Sequence, residues 1–185
     1  MVYDSSKNAY KLLTNLLEWA MLKQGKIQII KELIKLNDLV NETVILYSSN
    51  AIDKNIIIAN NIHDDIYIFA DRNSFYTILR NLLSNALKYT PNGGNISFGS
   101  ALTETQIGIS VKDSGVGIDG ETIGKLFKLA NNVSTPGTNN EKGTGLGLIL
   151  CKELIEKNGG EISVRSELGK YAEFIIQLPL VPSKV

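Results

Sequence analysis

The sequence predicts an α+β fold with two layers, a mixed and mostly antiparallel sheet and a set of helices on one of its faces. Two observations lead to this prediction. Strand-like runs in the centre and at the end of the chain are joined by short polar turns, as in hairpins. A parallel, doubly wound sheet would need a helix between most neighbouring strands, so the order of elements favours a two-layer sandwich.

The first part of the chain combines two helices with one short strand. Leucines at helical spacing predict a helix over residues 3–23, and its apolar stripe is wide enough to need a partner helix. The apolar run over residues 27–30 is expected to start a short strand. Asn37 is expected to cap a helix over residues 38–51.

The middle of the chain holds the longest amphipathic helix. Residues 56–62 and 66–70 are β-rich runs joined by the turn "HDD". Asp71 is placed to cap a helix over residues 72–89, which "TPNGG" terminates.

Alternating strands dominate the rest of the chain. Residues 96–101 and 106–112 form one pair, and residues 162–165 and 172–178 form a last hairpin. Between the pairs, residues 119–129 predict a short helix, and the polar run "NNVSTPGTNNEK" predicts a loop.

Length and composition fit one buried domain with a short appendage, since the 185 residues are 43% hydrophobic and 21% charged. The 19 Lys and Arg residues balance the 19 Asp and Glu residues, so no global field draws the chain to nucleic acid. We therefore predict no nucleic-acid partner. Any binding of phosphate must come from a local arrangement of residues.

A single cysteine and a single histidine are too few for a disulfide framework or a zinc cluster. Cys151 falls on the apolar side of a helical pattern and is expected in the core. No run approaches the ~20 apolar residues that cross a bilayer, and no signal peptide opens the sequence. The chain is therefore expected to be cytoplasmic, and a longer parent protein could still carry an inner-membrane anchor.

Three polar residues share one stripe of the long predicted helix, opposite its leucine face. Asn81, Asn85 and Lys88 are spaced at i, i+4 and i+7. A solvated surface explains such a stripe, but Asn is a mediocre helix former, and mere polarity would more readily be met by Glu, Lys or Gln. The alternative is a site where carboxamide oxygens bind a hard cation and the lysine meets a phosphate.

Two glycine-containing stretches follow this helix. In "DSGVGI", residues 113–118, the glycines allow a flat ligand to approach closely, and Asp113 can accept from an exocyclic amine such as that of adenine. In "GTGLGL", Gly143, Gly145 and Gly147 precede a helix whose free amides and dipole favour phosphates. Taken alone, each stretch is explained as well by a turn. The second fits neither a P-loop nor a dinucleotide fingerprint.

Together these motifs resemble the ATP-binding domain of sensor histidine kinases, whose Bergerat fold is shared with gyrase, the HSP90 chaperones and MutL. "RNLLSNALKYT" is similar to the family's asparagine box and "DSGVGI" to its first glycine box. "LFKL" is similar to the phenylalanine box and "KGTGLGLIL" to the second glycine box. The four motifs occur in the family's order, and the resemblance covers about residues 25–179.

The resemblance implies a role for each matching residue. Asn85 would ligate Mg²⁺, Asn81 would complete the network of metal and phosphates, and Lys88 would contact a phosphate. Tyr89 would lie against the adenine. Asp113 would accept a hydrogen bond from the adenine amine.

The glycine boxes would form the walls of the same nucleotide site. Gly115 and Gly117, with Ile118 beside them, would shape the purine slot, and Phe127 would anchor an ATP lid over residues 131–142. The remaining nucleotide-binding residues implied are Lys142, Gly143, Thr144, Gly145, Leu146, Gly147 and Leu148.

The resemblance also divides the chain into three parts. Residues 1–24 are similar to the C-terminal part of the second helix of the dimerisation and phosphotransfer hairpin. Residues 25–181 would be the catalytic domain and residues 182–185 a tail. The helix that carries the acceptor histidine is not in the sequence, and His63, in the turn "HDD", is not expected to replace it. The chain is therefore not expected to phosphorylate itself.

The implied function is that of a protein-histidine kinase that uses ATP and Mg²⁺. Its expected partners are ATP or ADP, the acceptor hairpin of its own or a partner subunit, and the receiver domain of a response regulator. The full-length protein is expected to be a homodimer. Two alternatives stay open, a nucleotide-free scaffold and a Bergerat-fold ATPase. Such an ATPase activates water with a glutamate where this chain has Asn81, which cannot accept the proton.

Overall fold

The computed structural model describes residues 13, 14, 16, 17, 20–26, 28–128, 135–139, 141 and 145–180. The strands are β1 Lys31–Lys35, β2 Ile57–Asn60, β3 Tyr67–Asp71, β4 Asn95–Leu102, β5 Gln106–Asp113, β6 Glu161–Glu167 and β7 Tyr171–Pro179. The helices are α1 Leu36–Leu46, α2 Ser48–Asp53, α3 Arg72–Tyr89, α4 Gly120–Ile123 and α5 Gly147–Lys157.

The strands form a five-stranded sheet and a separate two-stranded sheet. The larger sheet has the order β2-β4-β5-β7-β6, in which β2 and β4 are parallel and the other neighbours are antiparallel. Strands β1 and β3 pair antiparallel in the smaller sheet. The prediction of a mixed, mostly antiparallel sheet is therefore confirmed.

Alternation along the strands gives the larger sheet one buried face. In β5, Ile107, Ile109 and Val111 are buried, whereas the intervening residues are half-buried or exposed. Helices α3 and α5 contribute the facing apolar residues, including Leu82 and Cys151, both 0% exposed. Because both helices share one core with the sheet, the two-layer arrangement is confirmed, and so is the core position of Cys151.

Helix α3 has the bounds that the sequence predicts, and Asp71 caps it. The Asp71 Oδ1 atom accepts from the backbone N of Ser74 at 2.8 Å and from its hydroxyl at 2.6 Å. Its Oδ2 atom accepts from the backbone N of Ile30 at 3.1 Å. Burial acts to raise the pKa of Asp71, but these hydrogen bonds outweigh it and hold the pKa below its usual value.

The predictions for the first third are partly wrong. The strand begins at Lys31 rather than within residues 27–30, because its pairing partner β3 ends opposite Lys31. Residues 28–30 are irregular, and Ile27 lies outside the described residues. Pairing between distant segments set this boundary, and local apolar spacing could not predict it.

The predicted cap at Asn37 is also wrong. Helix α1 begins one residue earlier, at Leu36, and Tyr47 separates it from α2, so residues 38–51 are not one helix. The Asn37 side chain instead donates to the Ile62 carbonyl at 3.0 Å and to Asp64 Oδ1 at 2.6 Å. The Asn37 side chain therefore binds the loop between β2 and β3 and does not cap the helix.

The predicted helix over residues 119–129 is shorter than expected. Asp119 does cap it, accepting from the backbone N of Thr122 at 2.9 Å, but α4 ends at Ile123 and turns continue to Phe127. Residue 129 lies outside the described residues.

The described residues before position 24 are helical up to Lys23, as predicted. Leu22 is 1% exposed, and Lys23 Nζ lies 2.6 Å from Glu153 Oε1 on α5. Leu13 and Leu17 are more than half exposed. The end of this helical segment is thus packed on the domain, and its earlier residues present an apolar face. Among the described residues, none of the helices has the length and hydropathy needed to span a bilayer.

The turn between β6 and β7 is packed against the loop that follows β5. Gly169 N donates to the Val116 carbonyl at 2.7 Å, and Ile118 N donates to Ser166 Oγ at 2.8 Å. Gly117 has φ +67°, and a Cβ atom there would collide with the Glu167 carbonyl oxygen. Only glycine meets both requirements, so this contact fixes the path of the loop.

We expect Asp71→Ala to lower the free energy of unfolding by about 2 kcal/mol, at the upper end for a lost helix cap, because three donors lose their acceptor. Since the folded pKa is depressed, the contribution is present above about pH 4 and is lost as the pH falls further. Urea denaturation at pH 7 and pH 3 measures both effects. Asp119→Ala, which removes the exposed cap of α4, is the matched control and should change stability far less.

We expect Gly117→Ala to lower the free energy of unfolding by about 1–3 kcal/mol, because alanine is strained at this φ and meets the Glu167 carbonyl. The measurement is the midpoint of urea denaturation, compared between variants whose free energy of unfolding depends equally steeply on urea concentration. Gly120→Ala is the control: an added Cβ there meets no atom within 4 Å, so stability should be unchanged or higher. An equal loss of stability in the two variants would contradict the conclusion that the backbone at position 117 requires glycine.

Candidate functional site

The polar stripe of α3 lies beside the first turn of α5. Asn81 and Asn85 are half-buried. Asn81 Nδ2 donates to the Thr77 carbonyl at 3.0 Å, and a Cβ added to Gly147 would lie 3.0 Å from Asn81 Oδ1. Gly147 thus faces Asn81 closely, and the two motifs that carry these residues lie side by side.

The start of α5 has the geometry expected of an anion site. Gly145 has φ +71°, Leu146 is 8% exposed and Leu148 packs against the core. The first amides of a helix have no acceptor within it, and the helix dipole makes this end positive. Lys142, Gly143 and Thr144, also predicted to bind the nucleotide, lie outside the described residues, as do residues 131–134 and 140 of the predicted lid.

Asp113 ends strand β5 and is only 4% exposed. Its Oδ1 accepts from the backbone N of Gly115 at 2.9 Å. Burial raises its pKa to about 6, and the hydrogen bonds from the backbone of Gly115 and Ala172 offset this only partly. No Lys or Arg side chain within the described ranges forms an ion pair with it. A buried carboxylate without a cation is a functional-site candidate.

The loop after Asp113 crosses close to the end of α3. Val116 N donates to the Tyr89 carbonyl at 3.2 Å, and a Cβ on Gly115 would lie 2.5 Å from both that carbonyl and Asp113 Oδ1. Glycine at position 115 is what lets the loop pass. Asp113 and Tyr89 are thereby brought together, while Ile118 and Phe127 are half-buried against the core.

Lys88 and Tyr89 form a polar cluster with the segment that begins at Thr135. Lys88 Nζ lies 4.5 Å from the centroid of the Tyr89 ring and donates to the Tyr89 hydroxyl at 2.9 Å. It also donates to the Thr135 carbonyl at 2.7 Å, and the Tyr89 hydroxyl donates to the same carbonyl at 3.1 Å. The Lys88 ammonium is therefore held at this segment.

Sequence reasoning missed three residues at this end of α3. Lys54 is 7% exposed and contacts Thr138 and Glu141, which the sequence placed in a polar loop without assigned contacts. A lysine in "AIDKNIII" gives no sign of burial, because lysines in such surroundings usually lie on the surface. Only the tertiary fold reveals its partners.

Asn85 is suited to binding a hard cation. Within the described parts of the chain, its side chain makes no hydrogen bond, and no group of three His, Cys, Asp or Glu residues could hold a metal. A carboxamide oxygen is a ligand that Mg²⁺ accepts, and Mg²⁺ commonly takes its other ligands from water and phosphate. A cation here would thus depend on Asn85 together with oxygens of a bound phosphate.

Sequence comparison places relatives of this chain among sensor proteins. Residues 70–182 match the sequence profile of the histidine kinase-, DNA gyrase B-, and HSP90-like ATPase family. The sensor protein SrrB of Staphylococcus aureus is 34% identical over 179 residues, which are 97% of this chain and 31% of SrrB. The chain therefore spans about a third of the length of the curated relatives it matches.

Solved structures of histidine kinases share the fold. The catalytic domain of ThkA is 28% identical, with a TM-score of 0.70 over 84% of this chain and 99% of that domain. ThkA in complex with the response regulator protein TrrA is 26% identical, with a TM-score of 0.76 over 97% of this chain and 50% of that one.

Full-length ShkA in complex with AMPPNP is 27% identical, with a TM-score of 0.81 over 95% of this chain and 36% of that one. The likeness thus extends over nearly all of the chain and includes both the sheet and the helices that carry the site. The chain belongs to the histidine kinase-, DNA gyrase B-, and HSP90-like ATPase family, and its fold is that of the histidine kinase catalytic domains.

Proposed function

We propose that the chain is the catalytic ATP-binding domain of a two-component sensor histidine kinase. It binds Mg-ATP and transfers the γ-phosphoryl group to a histidine on a helical hairpin. The observation that carries the proposal is the buried Asp113 carboxylate, which forms no ion pair with any described residue and lies against the Gly115 loop and beside Tyr89. A desolvated acceptor at this place suits the exocyclic amine of adenine.

The phosphates are assigned to the opposite end of the site. Amides at the start of α5 favour the anionic groups, and Gly147 keeps that end of the helix close to Asn81. Asn85 would hold Mg²⁺, with Asn81 completing the network. The cation, when bound, neutralises negative charge on the phosphate oxygens.

Positioning and electrostatics supply most of the catalysis in such a transfer. The acceptor imidazole is itself the nucleophile, so the domain has to present the γ-phosphoryl group in line and stabilise its charge. No carboxylate stands at position 81 to take a proton from water, which disfavours rapid ATP hydrolysis. ShkA has the same fold, and its structure in complex with AMPPNP supports the proposal that this chain binds a nucleotide.

The remaining parts and partners follow from the same proposal. We assign residues 1–24 to the C-terminal part of the second hairpin helix, residues 25–181 to the catalytic domain and residues 182–185 to a tail. The exposed Leu13 and Leu17 support packing of the helical segment in a homodimer of the full-length protein. The ThkA complex with TrrA supports a response regulator as partner. The domain is proposed to act in the cytoplasm, whether or not its parent is anchored in a membrane.

We expect Asp113→Asn to raise stability and lower nucleotide affinity. The pKa of Asp113 is about 4 in the unfolded chain and about 6 in the folded one, so its ionisation lowers the free energy of unfolding by about 3 kcal/mol at pH 7. Asn carries no charge and so avoids this loss, and its side-chain oxygen can still accept from Gly115 N. Because the folded pKa is raised, the stability of the wild type should fall between pH 4 and pH 6. The stability advantage of Asp113→Asn over the wild type should therefore grow over this range and stay constant at higher pH.

The affinity of the same variant for Mg-ADP should fall about 10- to 100-fold, the range for a lost charged hydrogen bond. Calorimetric titration measures the affinity, and urea denaturation against pH measures the stability. Asp53→Asn, at an exposed carboxylate on α2, should change neither. Unchanged affinity in Asp113→Asn would refute the adenine assignment.

The proposed activity is tested by mixing the chain with a separately made acceptor hairpin from a histidine kinase and labelled ATP. We expect an acid-labile phosphohistidine on the hairpin, and we expect Asn85→Ala to reduce its rate at least about 100-fold, as loss of a group essential to transition-state charge does. Wild-type chain that hydrolyses ATP briskly without labelling the hairpin would instead identify an ATPase. Failure to bind Mg-ADP at millimolar concentration would identify a scaffold.

A further inference from the structure

Lys54 is a buried lysine whose ammonium has a full set of partners. It follows α2 and is 7% exposed. Its Nζ donates to the Leu87 carbonyl at 2.7 Å, to Thr138 Oγ1 at 2.7 Å and to Glu141 Oε1 at 3.0 Å. An ammonium has three N–H donors, so all of them are used. A desolvated charge is retained only where such pairing compensates it.

Glu141 uses its second oxygen to close a short loop. Its Oε2 accepts from Asn139 N at 2.8 Å, and its backbone carbonyl accepts from Gly137 N at 2.9 Å. Burial acts to raise the pKa of Glu141, but the hydrogen bond from Lys54 and its positive charge help to hold the pKa below its usual value. The carboxylate therefore stays ionised at neutral pH, and the ion pair with Lys54 persists.

This loop is bound to the last turn of α3. Thr138 N donates to the Lys88 carbonyl at 3.0 Å, and the Thr138 hydroxyl lies 3.0 Å from the Thr90 carbonyl. Gly137 lies so close to Lys88 that an added Cβ would collide with the lysine side chain. The described residues of this segment, 135–139 and 141, thus follow the end of the helix, and Lys54 connects them to it.

The same segment holds the side chain of Lys88. The Thr135 carbonyl accepts from both Lys88 Nζ and the Tyr89 hydroxyl. If the segment shifts, the acceptor that orients the Lys88 ammonium shifts with it. Lys54 Nζ bonds to neither the Lys88 ammonium nor the Tyr89 hydroxyl, so any effect of Lys54 on these two groups must pass through the segment.

We infer that Lys54 is a positioning residue of the nucleotide site: by fastening the Thr135–Glu141 segment to the end of α3, it places the Lys88 ammonium for contact with the nucleotide phosphates. This inference rests on the proposed function, in which Lys88 contacts phosphate. It gives the buried Lys54–Glu141 ion pair a task beyond stability, since a displacement of 1 Å at a positioning group can cost orders of magnitude.

The test is a set of calorimetric titrations with Mg-ADP. Lys54→Met keeps the length of the side chain and removes its charge, and Lys88→Met removes the group said to be positioned. We expect each to weaken binding about tenfold, and the double variant to bind as Lys88→Met does, because the effect of Lys54 passes through Lys88. Losses that multiply in the double variant would overturn the inference.

Glu141→Gln is the second variant, and it keeps the test decisive if Lys54→Met does not fold. Gln has nearly the shape of Glu and keeps a carbonyl oxygen that can accept from Lys54 Nζ, so the buried ammonium retains three acceptors although it loses the opposite charge. We expect a loss of about threefold to tenfold in affinity, and again no further loss when it is combined with Lys88→Met. Unchanged affinity in Glu141→Gln would overturn the inference.

The matched control is the ion pair between Arg72 and Glu42, at the other end of α3. Arg72 Nη2 lies 2.6 Å from Glu42 Oε2, and both side chains are about half exposed. Arg72→Met and Glu42→Gln should leave the affinity unchanged. Wild-type chain that fails to bind Mg-ADP contradicts the proposed function and this inference together. Wild-type binding with unaffected Lys54 and Glu141 variants contradicts this inference alone.

Discussion

Helix α3 ends at Tyr89 without a glycine cap, and the rest of the site depends on how its last carbonyl oxygens are satisfied. A helix leaves its final four carbonyls without donors of its own, and burial makes such groups costly unless other parts of the chain supply donors. Here most of the donors come from far along the sequence. In order, the carbonyls of residues 86–89 accept from Thr90, Lys54, Thr138 and Val116. One turn of helix thus joins three loops.

Two buried charges lie near this turn, and the fold treats them differently. Lys54 is paired with Glu141, so its burial is compensated within the protein. Asp113 accepts from backbone N–H groups and forms no ion pair among the residues that the structure describes, and burial raises its pKa to about 6. A ligand amine would relieve part of the penalty of that burial. Burial of Asp113 therefore costs stability that a bound ligand would recover, whereas the contacts of Lys54 within the protein compensate its burial.

Local signals in the sequence predicted some elements well. The leucine spacing and the Asp71 cap gave α3 its correct bounds, because both signals act within one turn of the helix. Alternation predicted β4 to β7, because it also acts between residues that are close in the sequence. Asn37 and Lys54 could not be placed, since the bonds of Asn37 to the β2–β3 loop and of Lys54 to Glu141 join residues more than 20 positions apart. Each glycine motif alone fitted a turn equally well, and only the order of the motifs along the chain indicated a nucleotide site.

The division of tasks at the end of α3 suggests how the two halves of the site are coupled. The Tyr89 carbonyl accepts from the loop after Asp113, and the adjacent Lys88 carbonyl accepts from Thr138. A shift of either loop therefore acts on neighbouring peptide units of the same helical turn. Because α3 is also buried along its leucine face, that turn cannot follow one loop without straining its bond to the other. A base beside Asp113 and phosphates near Lys88 would thus share one rigid reference point.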